Sequence, residues 1–378
     1  ARTVMRSLES LTPDDPDLLF RLGRLSEQDF WRFQDDGDLE RATRYYENAL
    51  AVDPDHLESR LRLAVVALEL DSIDVARAHV DALAARHLEE GRASALLGVL
   101  YERLGRFSEA DRALRSAVGK VVPTDRDIFF APWFLEADST SFFDTVSEFT
   151  DVWEEELPDT LVTTLARDFW SPRDPTPGTA LNERWVVHAA RAFMCDFLYG
   201  SETRGKRGWD MAPGEFYIRY GKPIDRRYIL GQLPGWIHRF ETPSGTADLL
   251  FIDYNLNGEF MLPIERDAMP LHARLRYSQP EFTSLAGRVE LVDAPFSTAW
   301  FRSETGQPEL QLTAAVNATD AVLQAAVYDS AWREVYHATE AIRGEPVPAS
   351  IAGRGFDLFQ ARLLPGGDAR RVRFTPVS

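Results

Sequence analysis

Asp253-Tyr254-Asn255-Leu256-Asn257-Gly258 sets carboxylate and amide oxygens at alternate positions before a glycine, which is how an EF-hand loop opens around calcium. The bidentate glutamate that should close such a loop at its twelfth position is missing, because Ile264 stands there and Glu265 comes one place later. Apolar residues 249–252 precede the motif and read as strand, and Asn257-Gly258 is the pair that favours a two-residue type I′ hairpin, so a hairpin is the expectation. His188 and Cys195 have the chemistry of an imidazole–thiolate nucleophile. They sit seven residues apart on one helical face, about 10 Å along the axis, too far for direct proton transfer. Cys195 is the one cysteine, lies in an apolar stretch, and reads as a buried, inert thiol. The histidines show no metal-ligand spacing, and there is no phosphate-binding glycine loop and no G-x-S-x-G. No catalytic residue, cofactor or metal is therefore expected.

The elements that must hold these groups follow from composition and periodicity. The 378 residues, 44% hydrophobic and 27% charged, suffice for two or three soluble domains. The net charge of −18 repels phosphate backbones and anionic bilayers, which disfavours nucleic acid as a partner. Only Lys120, Lys206 and Lys222 are lysine among the basic residues. No apolar run is long enough to cross a membrane as a helix, which leaves peripheral attachment to a membrane complex as the membrane association to expect.

Residues 1–120 are repetitive. Ala42, Ala76 and Ala110 recur every 34 residues, with Gly98 and Tyr101 at further packing positions of the third copy and Pro54 closing the first. This pattern resembles tetratricopeptide repeats, an α-solenoid of helical hairpins in which small residues let helices approach closely. Gly37 and Gly105 are read as ending the first helix of their hairpins. The resemblance implies a concave face that docks peptides or partner helices.

Residues 121–285 read as a small α+β domain, with helices at 139–156 and 181–199 and strands at 215–220, 236–241, 248–254 and 259–263. Aromatic residues Phe129, Phe130, Trp133, Phe134, Phe142, Phe143, Trp153, Phe169 and Trp170 are expected to fill the joint with the repeats, the alternative being an exposed carbohydrate-stacking platform. Phe169-Trp170 with Arg173–Thr179, then Gly208-Trp209, then Tyr217–Pro223 resemble the motifs of GWxTD domains. That resemblance implies a bacterial, mostly exported family, often joined to tetratricopeptide repeats, with no established enzymatic activity. It directs attention to Arg173, Asp174, Glu183, Trp209, Arg219 and Tyr220, of which Arg173, Asp174, Glu183 and Arg219 would form an arginine–carboxylate network that locks a proline-rich loop at 168–179 onto the sheet, or would line a ligand pocket. The Thr-Asp that gives the family its name is Met211-Ala212 here, so chemistry that needs that pair is absent.

Residues 286–378 alternate apolar and polar positions over about seven short segments separated by turn signals, which suggests an antiparallel, Ig-like β-sandwich. Together the three zones point to a non-enzymatic scaffold or assembly subunit, periplasmic or extracellular, that docks protein partners or copies of itself. The alternatives are a carbohydrate- or peptide-binding envelope module and a hydrolase with its site near the central-domain loops.

Overall fold

The computed structural model describes residues 14–33, 35–130, 166–167, 169–174, 181–201, 205–242 and 245–263, together with the strands between 290 and 374. The described residues fall into two compact units, one holding 14–130 and 186–263 and the other 166–185 and the strands from 290 onward.

The first unit begins with six helices, α1 (Pro16–Phe33), α2 (Asp36–Val52), α3 (Leu57–Glu69), α4 (Ile73–Arg86), α5 (Gly91–Arg103) and α6 (Phe107–Val118). Side-chain caps mark the starts of α1, α2 and α3. Asp15 accepts the amides of Asp17 and Leu18 ahead of α1, and Asp35 accepts that of Gly37 at 2.8 Å. Gly37 thus lies inside the first turn of α2, capped by Asp35, and does not end a helix as the sequence suggested. Gly105 does stand at such an end, with φ +72 between α5 and α6.

The helices pair as α1–α2, α3–α4 and α5–α6. Ala42, Ala76 and Ala110 are buried at the crossings, as are Tyr46, Val80 and Leu114, also 34 apart. The loops repeat as well: Arg86 reaches the Pro54 carbonyl and Lys120 reaches that of Leu88, each partner shifted by 34 residues. A Cβ on Gly98 would lie 2.5 Å from Leu114 Cγ and 3.2 Å from the Leu114 amide nitrogen. Gly98→Ala is therefore expected to cost about 1–3 kcal/mol through overpacking, measured by thermal melting. Tyr101 is half-buried under the Arg106 guanidinium, 4.4 Å from its ring centre.

Burial differs sharply between the two helices of the middle hairpin. Ten of the thirteen residues of α3 are buried, against three of the fourteen of α4. The second covering layer on α3 is the chain's own central element. It comprises the short helix α7 (Asp127–Phe130), the part of α8 (Glu183–Tyr199) from Val186 on, a 3₁₀ turn at Gly208–Asp210, α9 (Ala212–Tyr220) and the antiparallel strands β1 (Asp225–Ile229), β2 (Gly235–Thr242) and β3 (Gly245–Ile252) in the order β1-β2-β3.

Residues 215–220, expected as a strand, form the last two thirds of α9. Pro213 in its first turn and Gly221 at its end, with φ +81, frame the helix. Every residue from Pro213 to Tyr220 is buried, so no polar face marks the helical period, and Phe216, Ile218 and Tyr220 mimic strand alternation. Phe216 and Tyr220 pack with Phe240, Leu249 and Phe251 of the sheet. The 236–241 and 248–254 segments match β2 and β3 to within three residues, whereas 259–263 contributes a single bridge, Ile252 to Met261.

In the second unit Asn182 accepts the Trp185 amide at 3.0 Å, capping α8, and donates to the Trp170 carbonyl at 2.8 Å. Strands β4 (Glu290–Leu291), β5 (Phe296–Arg302), β6 (Pro308–Ala314), β7 (Asp320–Tyr328), β8 (Glu334–Arg343), β9 (Ala349–Ala352), β10 (Leu358–Pro365) and β11 (Arg370–Phe374) form a five-stranded sheet β4-β11-β10-β7-β8 and a three-stranded sheet β5-β6-β9. All pairings are antiparallel except that of β4 with β11. Seven of these strands coincide with expected segments and β9 is additional. The expected helix at 139–156, Trp133, Phe134, Asp168 and 175–180 lie outside the described residues. No described helix is long and apolar enough to cross a membrane.

Candidate functional site

Two buried ion clusters bind the repeat helices to the central element, and a cleft opens beside them. In the first, Glu27 on α1 accepts hydrogen bonds from Arg62 Nε at 3.1 Å, Arg24 at 2.9 Å, the Tyr46 hydroxyl at 2.6 Å and Trp31 Nε1 at 3.1 Å. Arg62 also donates to the Phe197 carbonyl of α8 at 2.7 Å. Burial alone would raise the Glu27 carboxyl, but the charges of Arg62 and Arg24 and the hydrogen bonds from Arg62 and Tyr46 outweigh it and hold the group well below the usual carboxylate range. Glu27 is a fixed anion and no proton donor.

In the second cluster Glu69, fully buried at the end of α3, accepts from the Tyr217 hydroxyl of α9 at 2.8 Å and pairs with Arg226 of β1. The Arg226 guanidinium lies 5.2 Å from the Trp31 ring centre, so Trp31 touches both clusters. Burial pushes the Tyr199 hydroxyl, 3.4 Å from Arg226, up to about 12. Lys222 adds an outer tie to Asp71 at 2.6 Å.

The cleft measures about 540 Å3 and is walled by α1, the end of α8, the sheet and the 253–260 loop. Aromatic side chains Trp31, Tyr199, Tyr228, Trp236 and Phe260 line it together with Arg32 and Lys206. The loop is organised by Asp253, whose two carboxylate oxygens accept the amides of Asn257 at 3.0 Å and Gly258 at 2.6 Å. The positive φ values fall on Leu256 and Gly258, whereas a type I′ turn would need them on Asn257 and Gly258 together. The expected two-residue hairpin is accordingly a longer, Asp253-centred loop closed by the Ile252–Met261 bridge. Among the described residues no three His, Cys, Asp or Glu side chains gather as a metal-ligand set.

The residues singled out in the sequence belong to both units and are taken unit by unit. Arg173 ends a 3₁₀ turn in the second unit, donates to the Phe169 carbonyl at 2.6 Å and stacks on the Phe169 ring; Asp174 closes that turn through its amide, and Glu183 starts α8, buried. In the first unit Arg219 is buried and pairs with Glu215 one turn earlier at 3.2 Å. Tyr220 stacks on Phe216, and Trp209 meets Phe129 edge-on at 5.6 Å beneath the Arg207 guanidinium. His188 donates from Nε2 to the Ile128 carbonyl at 2.6 Å, while Cys195 bonds to the Ala192 carbonyl and burial pushes its thiol up.

Residues 33–100 match the tetratricopeptide repeat family model. The matched repeat segment runs from the end of α1 into α5, across the 34-residue spacing and the paired helices described above. Neither a curated protein nor a solved structure matches the chain. What the repeat pattern alone did not disclose is the set Glu27, Arg62, Glu69 and Arg226. The available signal was charge inside otherwise apolar repeat helices, such as Arg62 and Glu69 flanking Leu63–Leu68 in α3.

The buried imidazoles of His188 and His238 set a pH dependence. Burial lowers His188 from 6.5 to about 4 and lowers His238 well below its ordinary value. Between those two values the unfolded chain binds the extra proton, so this contribution is intact above 6.5 and is lost as the pH falls toward 4. For His188 the loss amounts to about 3 kcal/mol by pH 4. Asp127 and Asp196, raised by burial, act in the opposite sense. Denaturant unfolding of the native protein and His188→Gln across this range should isolate the histidine slope.

Proposed function

We propose that this protein is a non-enzymatic scaffold that brings protein partners, or copies of itself, into an assembly at the bacterial cell envelope or exterior. The repeat array carries the reading, because stacked tetratricopeptide hairpins serve protein–protein interaction and residues 33–100 match that family model. The Phe169-Trp170, Gly208-Trp209 and Tyr217–Pro223 motifs, which resemble exported GWxTD proteins, and the run of short C-terminal strands support an exported, Ig-like-bearing assembly subunit. The carboxylates at the cleft support this over a hydrolase: Glu27 is held in ion pairs and both Asp253 oxygens are engaged by amides, which leaves Glu259 as a single carboxylate in the described lining where acid–base hydrolysis takes a pair. The test is gentle native purification with mass measurement of the intact particle. A stoichiometric second protein or a defined homopolymer is the expected result, and a monomer without companions would overturn the proposal.

The inner helices α1 and α3 are already committed to the central element through Glu27, Arg62 and Glu69. Partners of the array should accordingly meet α2, α4 and α6 or the cleft.

A further inference from the structure

We infer that the cleft between α1 and the sheet binds an extended peptide segment in which a carboxylate stands beside a bulky apolar side chain. This rests on the scaffold reading and names the kind of partner segment the site would hold.

Two donors at the cleft, Arg32 and Lys206, are exposed and take part in no ion pair among the described residues; the Arg32 guanidinium lies 5.8 Å from the Tyr228 ring centre. Among the described residues the lining carries four cations, Arg24, Arg32, Arg62 and Lys206, against three carboxylates, Glu27, Asp253 and Glu259. A cationic excess within a chain of net charge −18 is selective for an anionic ligand, since the rest of the surface repels one.

The walls add the apolar half of the specificity. Leu256, one of the lining residues, is 67% exposed, and Tyr228, Trp236 and Phe260 extend the apolar lining. Leucine offers no partner for sugar hydroxyls, which favours a peptide over an acidic saccharide. The volume of about 540 Å3 lies in the range of ligand sites.

The probes are capped hexapeptides in which leucine alternates with aspartate, asparagine or lysine, with oligogalacturonate as a fourth, titrated against the full chain by fluorescence anisotropy. The aspartate–leucine peptide should bind saturably, at least about tenfold more tightly than the asparagine peptide, and more weakly as salt is raised. Arg32→Glu and Lys206→Glu should each weaken it about tenfold, while Arg77→Glu, an exposed change on α4, leaves it unaltered. Absence of saturable binding, equal affinity for the asparagine peptide, charge reversals that behave like Arg77→Glu, or preference for oligogalacturonate would each overturn the inference. If the native particle still holds a stoichiometric partner in that event, the scaffold reading stands and only the peptide site falls.

Discussion

Glu69→Ala is expected to destabilise the protein by about 3–5 kcal/mol, the largest loss of any single charge substitution. The residue is fully buried, and its removal leaves Arg226 buried with no carboxylate and the Tyr217 hydroxyl without its acceptor. Burial works against the Arg226 charge, and only Tyr199 and Glu69 reverse that. A two-residue replacement separates the worth of the pair from the damage of halving it. Glu69→Met combined with Arg226→Met removes both charges at similar volume and should recover most of the loss, because apolar pairs often replace buried ion pairs without penalty. Denaturant unfolding of the native protein, the two single variants and the double variant closes the cycle. Equal losses in Glu69→Ala and the double variant would mean that the ion pair itself, rather than the orphaned guanidinium, is what matters.

Gly214→Ala should cost about 3 kcal/mol or more. A Cβ there would fall within 3.0 Å of the Gly208 carbonyl oxygen, and one on Gly208 would fall equally close to the Cys195 carbonyl oxygen and the Asp196 Cα. Backbone stands on both sides of each contact, so no side chain can swing away. The 3₁₀ turn before α9 is packed main chain against main chain on α8 at one glycine and on α9 at the other. Gly205→Ala supplies the comparison: its φ is +60, yet nothing lies within 4 Å of the added carbon, and its cost should stay near 1 kcal/mol. Chemical denaturation of the three variants gives the ranking, and a Gly214→Ala protein as stable as Gly205→Ala would refute the close-packed glycine contact.

The parts of the fold governed by local periodicity could be read from the chain. The 34-residue recurrence of Ala42, Ala76 and Ala110 located the hairpins, because each alanine must sit at a helix crossing. Alternation located β2, β3 and most strands after 290. It failed at α9, where burial on all sides erased the helical period and left a pattern indistinguishable from a strand. It also failed at the Asp253 loop, where Asn257-Gly258 carries the local hairpin signal but the Asp253 carboxylate, four and five residues earlier, dictates the turn. The candidate site was the least legible part. Glu69 and Arg226 are 157 residues apart, and nothing in either neighbourhood announces the other. A family motif drew attention to Arg219, whose partner Glu215 is only one turn away.

The ties from α1 and α3 to the central element bear on the order in which this chain can fold. A free solenoid is stabilised by neighbours along the chain and can grow one unit at a time as it is synthesised. Here Arg62 meets Phe197 across 135 residues, Tyr217 meets Glu69 across 148 and Arg226 meets Glu69 across 157. A ribosome that has released only the six helices has therefore released Glu69 without either of its partners, and the hairpins must wait, with a carboxylate on what will become an interior face, until β1 emerges. Contacts of such span slow folding. They also turn a stack that could have melted repeat by repeat into a body that gives way all at once.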